Sequence, residues 1–149
     1  MLGFKYRNHR VVAALFAQRL LVRLQDIPDI GRIDVVTWVP TTRERRMARG
    51  HDQAETLARI VGRTLGLPVR KLLMRETVGH QTGHSREQRL VGVALRARSM
   101  SIPGTVLVVD DVVTTGATMR MAERALYLAG AARVVCIAVA ATPAPARRR

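Results

Sequence analysis

Residues 105–118 hold the side chains best arranged for chemistry. Thr105-Val106-Leu107-Val108-Val109 is continuously apolar, Asp110 and Asp111 follow at once, and Val112-Val113-Thr114-Thr115-Gly116-Ala117-Thr118 leads into a helical pattern. Unpaired N–H groups at a helix N-terminus lie at the positive end of its dipole and receive phosphate. Gly116 allows the backbone, including Ala117, to approach an anion closely, and Thr114, Thr115 and Thr118 supply hydroxyl donors around it. Two carboxylates beside such a turn suit a sugar phosphate. Asp110 and Asp111 could accept hydrogen bonds from ribose hydroxyls, face a cationic sugar carbon, or orient a metal. A nucleotide-binding loop of the Walker A kind needs a Lys after its glycine, and Ala117 stands there.

The elements that must position this string are legible as an alternation. Val12, Phe16, Leu20 and Leu24 recur at fourfold spacing, which predicts an amphipathic helix. Asp26–Arg32, with Pro28 and Gly31, reads as a loop, and Ile33–Val39 as a strand closed by Pro40. Asp52 and Glu55 form a capping-box-like start to a helix whose inner face is Ala54, Leu57, Ala58, Val61 and Leu65. Gly66 and Pro68 end it. Val69–Leu73 reads as a strand, and residues 74–90 as a long excursion of the kind that carries function. The apolar run at 105–109 fits a strand buried on both faces of a parallel sheet. A helix from about Gly116 to Ala129 and a strand over Arg133–Ala140 follow. Strand–helix–strand alternation predicts an α/β fold with a mostly parallel sheet, whose ligands bind beyond the carboxyl ends of its strands.

Composition bounds the partners. The 149 residues carry 25 Lys and Arg against 11 Asp and Glu, a formal charge of +14, and 48% are hydrophobic. That length suits one domain, read as residues 1–141 with a disordered basic tail over 142–149. The charge favours anionic partners, including weak nucleic-acid contact through the basic surface. At 3% aromatic residues, a stacking platform for single strands is disfavoured. A lone cysteine, Cys136, excludes an internal disulfide framework and a cysteine-based zinc cluster. No signal peptide or membrane span is read, so a cytoplasmic protein is expected. His80 and His84 lie four apart, but Gly79 and Gly83 oppose the helix that zinc ligation would need, and no protein metal site is expected.

The string Val106–Thr118 resembles the motif by which type I phosphoribosyltransferases bind 5-phosphoribosyl 1-pyrophosphate (PRPP). Arg49-Gly50-His51-Asp52-Gln53-Ala54, Gln81-Thr82-Gly83 with Arg86 and Arg89, and Lys5-Tyr6-Arg7 resemble the ComF family of competence-associated phosphoribosyltransferases, a likeness covering nearly all of residues 4–141. Three departures stand out. That family usually has Phe-Asn where this chain has His51-Asp52, and an apolar residue at His84. Its amino-terminal zinc module of paired cysteines is missing, so a shortened member or a fragment is expected.

The resemblance implies a type I phosphoribosyltransferase fold, a twisted parallel sheet flanked by helices with a flexible hood matching residues 74–90. It implies PRPP bound with Mg²⁺, pyrophosphate received by the loop Pro40–Gly50 through Arg43 and Arg49, and transfer to an unknown acceptor. Asp110 and Asp111 take the catalytic place and Thr114–Thr118 the phosphate. A link to competence and DNA uptake is implied with it. The alternative is a non-catalytic PRPP-binding regulator or DNA-uptake assembly factor, and a homodimer is left open.

Overall fold

The computed structural model describes residues 2–28, 30–42, 44, 47, 50–76, 94–98 and 104–141, with side chains from residue 11 onward. Arg43, Arg49, residues 77–90 of the expected excursion (with His80, Gln81-Thr82-Gly83, His84, Arg86 and Arg89) and the tail 142–149 lie outside the described residues. Helix α1 is Leu2–Gln25, strand β1 Val35–Trp38, helix α2 Gln53–Leu65, β2 Leu73–Glu76, β3 Ala94–Ala97, β4 Thr105–Val113, α3 Ala117–Leu128 and β5 Arg133–Ala141. Among the described residues β1, β4 and β5 form a parallel sheet in the order β1-β4-β5. An antiparallel pair, β2-β3, stands beside it. The α/β alternation expected from the sequence is present.

Each face of the sheet buries one stripe of β4. Leu107 and Val109 join Val36, Trp38, Val135 and Ile137 under α1 and α2. Val106 and Val108 join Val35, Val39 and Val134 under α3 and the β2-β3 pair. Burial on both faces is why this strand reads as an unbroken apolar run. The α1–α2 side is packed closely: a Cβ on Gly62 would collide with a Val69 methyl.

Several boundaries differ from the sequence reading. The inner face of α1 is Ala17, Leu20 and Leu24, whereas Val12 and Phe16 are 45% and 38% exposed. Leu65, expected on the inner face of α2, is 37% exposed, and Gly62 packs there instead. The expected strand Val69–Leu73 is broken. Its first residues add to the edge of β1 through Val36 N–H to Pro68 O and Arg70 N–H to Val36 O, each 2.9 Å. Leu72 N–H then donates to the buried Thr37 hydroxyl at 3.3 Å. A side chain takes the place of a ladder carbonyl, and the strand departs to form β2. Residues 74–76 of the expected excursion are therefore strand. No described helix is long and apolar enough to cross a membrane.

Candidate functional site

The site grows out of the unequal lengths of parallel neighbours. β1 stops pairing with β4 at Trp38↔Val109, while β4 continues beside β5 through Asp110↔Ala138, Val112↔Ala140 and Val113↔Ala141. Asp110 and Asp111 are thus the first residues of β4 beyond its partner's end. The sequence reading placed them just after the strand; they lie within it, because β5 supplies a ladder that a single apolar run does not reveal. Parallel strands leave a crevice where one neighbour ends first, and ligands of α/β sheets gather there.

The two carboxylates have different surroundings. Asp110 is 9% exposed and accepts the Asp111 N–H at 2.8 Å. Asp111 is half-buried and accepts the Val112 N–H at 2.9 Å. Burial, then the hydrogen bond and charge of Asp111, push the Asp110 carboxyl up to about 7, against the pull of its own bond from the Asp111 N–H and of the Arg75 charge. Arg75, on β2, also donates to the Pro40 carbonyl at the start of the loop after β1. It links that loop to the acidic pair. Nothing in the sequence pattern singled it out, because it sits at the start of the stretch read as an excursion.

The turn after β4 has the conformation its composition suggests. Gly116 has φ +72°, in the left-handed region, and directly precedes α3. Its side-chain-free position caps the helix without a hydrogen bond, so the first turn of α3 is not closed from there. Thr115 accepts the Ala117 N–H at 3.3 Å. Thr114, Thr115 and Ala117 are exposed, and Gly116 and Thr118 half-buried. A Cβ on Gly116 would lie 3.0 Å from the Arg120 guanidinium, so a cation stands beside the turn that sequence reasoning missed. The signal was its place one helical turn after the glycine.

Asp52 holds the other side of the crevice. One carboxylate oxygen caps α2 through the Glu55 N–H at 3.4 Å, as the sequence suggested. The other accepts the Thr41 N–H at 3.0 Å, tying the loop after β1 to α2. Arg43 and Arg49, expected in that loop, lie outside the described residues. Among the described residues no three His, Cys, Asp or Glu side chains converge as a metal cage.

Beside Asp111 opens a cavity of about 420 Å³. Val12 and Phe16 of α1, Leu57 of α2, and Val139 and Ala140 of β5 form its apolar wall. His51, read as helping the helix start, lines it too, with Gln53 and Thr56.

A family described as "Phosphoribosyl transferase domain" matches residues 51–149. No curated protein matches the chain. Among solved structures it is similar to the glutamine PRPP amidotransferase from B. subtilis complexed with ADP and GMP, at 23% identity and TM-score 0.56, over 88% of this chain and 26% of that one. The allosteric regulatory enzyme of purine biosynthesis gives 23% identity and TM-score 0.56, over 85% of this chain and 25% of that one. Adenine phosphoribosyltransferase from Thermoanaerobacter pseudethanolicus gives 14% and 0.55, over 85% and 66%. The chain spans about a quarter of the length of the first two. These likenesses are of fold.

Proposed function

The chain belongs to the phosphoribosyl transferase domain family and has the type I phosphoribosyltransferase fold, and on that premise we propose that it binds PRPP and transfers its phosphoribosyl group to an acceptor, releasing pyrophosphate. The observation that carries this is the pair Asp110-Asp111 standing beyond the end of β1, one short turn before the open N-terminus of α3. Thr114, Thr115, Gly116, Ala117 and Thr118 hold the 5′-phosphate, with Arg120 adding a charge-assisted contact. Asp110 and Asp111 accept the ribose hydroxyls. Arg43 and Arg49 take the pyrophosphate, their charge stabilising it as it departs.

Loss of pyrophosphate gives the anomeric carbon cationic character, which the two carboxylates stabilise as a nucleophile attacks the opposite face. The protein's part is position and charge complementarity. Two carboxylates, with no third His, Cys, Asp or Glu converging on them among the described residues, fit Mg²⁺, which keeps several waters and joins substrate oxygens more than a protein cage. Asp110 and Asp111 would hold it with the substrate, where it offsets phosphate charge.

The ComF-like segments, Arg49–Ala54 above all, support extending this reading to a cytoplasmic protein serving DNA uptake. The +14 charge supports weak nucleic-acid contact alongside it. The test is incubation with PRPP, Mg²⁺ and a panel of bases and amines. Pyrophosphate release that Asp111→Asn abolishes is the expected result. PRPP binding without release across a broad panel would make the protein a ligand-binding regulator, and absence of PRPP binding would end the proposal.

A further inference from the structure

Helix α1 is apolar on two sides. Ala13, Ala17, Leu20 and Leu24 face the core. Val11, Leu15 and Val22 point away from it and are 56%, 56% and 60% exposed. At 3.6 residues per turn these three fall within about 40° of one another, nearly opposite the core stripe. Gln18 and Gln25, both exposed, continue the series. Its steps of four, three, four and three match the 3.5-residue repeat of a helix-on-helix seam. Scattered exposed apolar residues are ordinary, whereas an aligned stripe marks a contact surface. Among the described residues none covers it.

We infer that the outer face of α1 docks an acidic amphipathic helix of another protein. Charge selects this occupant. The sequence of α1 carries Lys5, Arg7, Arg10, Arg19 and Arg23 and no acidic residue, within a chain of formal charge +14. Arg19 is exposed beside the seam, and Asp26 is the first acid beyond the helix. A second copy laid along α1 would set two basic helices against each other, which costs affinity. A membrane surface takes a broad, continuous apolar face, and here Gln18 and Gln25 stand within a narrow one. The partner's apolar side chains close over Val11, Leu15 and Val22 and remove them from water, while its flanking carboxylates pair with Arg19. Such a contact runs about four turns, or ~21 Å. It is small for a permanent interface, so the docking is reversible and salt-sensitive. It stands whether or not the chain transfers phosphoribosyl groups.

Fluorescence anisotropy on the full chain tests this with a labelled three-heptad peptide bearing Leu at a and d and Glu at e and g, beside a scrambled peptide of the same composition. The patterned peptide binds at least about tenfold tighter than the scrambled one, and its affinity falls as salt is raised. Leu15→Gln combined with Val22→Gln removes the seam at exposed positions without changing the charge. That double variant weakens peptide binding by about tenfold or more and keeps the melting temperature within about 2 °C. Equal binding of the scrambled peptide would reduce the contact to surface charge and overturn the inference, as would undetectable binding or an unaffected double variant. A larger fall in melting temperature would overturn it too, because the stripe would then pack within the chain. Dimerisation in sedimentation, or binding to phosphatidylserine vesicles, that the double variant loses would make the occupant a second copy or a membrane, and would equally overturn it.

Discussion

Replacing Asp110 with Asn separates what the site does for binding from what it costs the fold. The carboxyl is 9% exposed and pushed up to about 7, chiefly by burial. In the unfolded chain it titrates near ~3.9. Between those values the native state holds a proton that the unfolded state has lost, so unfolding free energy falls as pH rises and levels off above about 7. From pH 5 to pH 8 the group removes ~3 kcal/mol, or about 6–12 °C in melting temperature for a chain of this size. Asn keeps the shape, its carbonyl can still accept the Asp111 N–H, and its amide can donate toward the Asp111 carboxylate. Asp110→Asn should therefore flatten that part of the melting profile and be the more stable protein at pH 8. At the same pH its PRPP affinity should drop by about tenfold or more, because an acceptor of the ribose hydroxyls is lost. The assay is differential scanning calorimetry at pH 5, 6, 7 and 8 on both proteins, with PRPP titrations at pH 8. Identical pH slopes for the two would mean that the buried carboxyl is ionised throughout, and the reasoning from burial fails. A gain in stability with unchanged PRPP affinity would leave the fold argument standing and remove Asp110 from the site.

Other perturbations probe separate parts. Gly116→Val should weaken PRPP binding by more than tenfold in calorimetry, since it forces a β-branched residue into a left-handed conformation against Arg120; wild-type affinity would dismiss the turn. Arg120→Ala should lower PRPP affinity by about tenfold at low salt and less at high salt, measured by titration at two ionic strengths. Gly62→Ala should destabilise by ~1–3 kcal/mol in urea unfolding, because its Cβ would collide with Val69 where α2 lies on the sheet. Cys136, whose thiol burial and then the charges of Glu123 and Asp110 push up to about 12, should alkylate on the order of a thousandfold more slowly in the native state than in urea at pH 8.

The central strand and its turn were legible because one local cause acted at each position. β4 is buried on both faces, so no polar residue interrupts it until its neighbour ends, and the acidic pair marks that end in the sequence itself. Gly116 and the cap at Asp52 are likewise set by backbone needs within four residues. What escaped depends on partners far along the chain. The continuation of β4 past Asp110 needs β5, whose paired residues lie 28 positions later. The break after Arg70 needs the Thr37 hydroxyl, and the place of Arg75 needs the Pro40 carbonyl. No window of local pattern contains both members of such a pair.

Helix α1 shows how a correct element can still give a wrong face, and why that matters for the site. Apolar residues crowd Val11–Leu24, so several stripes compete. The series Val12, Phe16, Leu20, Leu24 advances four residues each time, which at 3.6 residues per turn drifts by about 40° per step and about 120° in all. Four residues so spread cannot share one contact face with a sheet. The stripe Ala13, Ala17, Leu20, Leu24 alternates steps of four and three and stays within about 60°. Packing selects it: Ala17 and Leu20 are each 1% exposed, and Ala13 is partly buried against the same core. Small residues there let α1 lie close on the sheet, and the drift of the competing series carries Val12 and Phe16 outward to the cavity beside Asp111. The mismatch between a spacing of four and a period of 3.6 is thus what gives an apolar wall to the acidic end of the crevice.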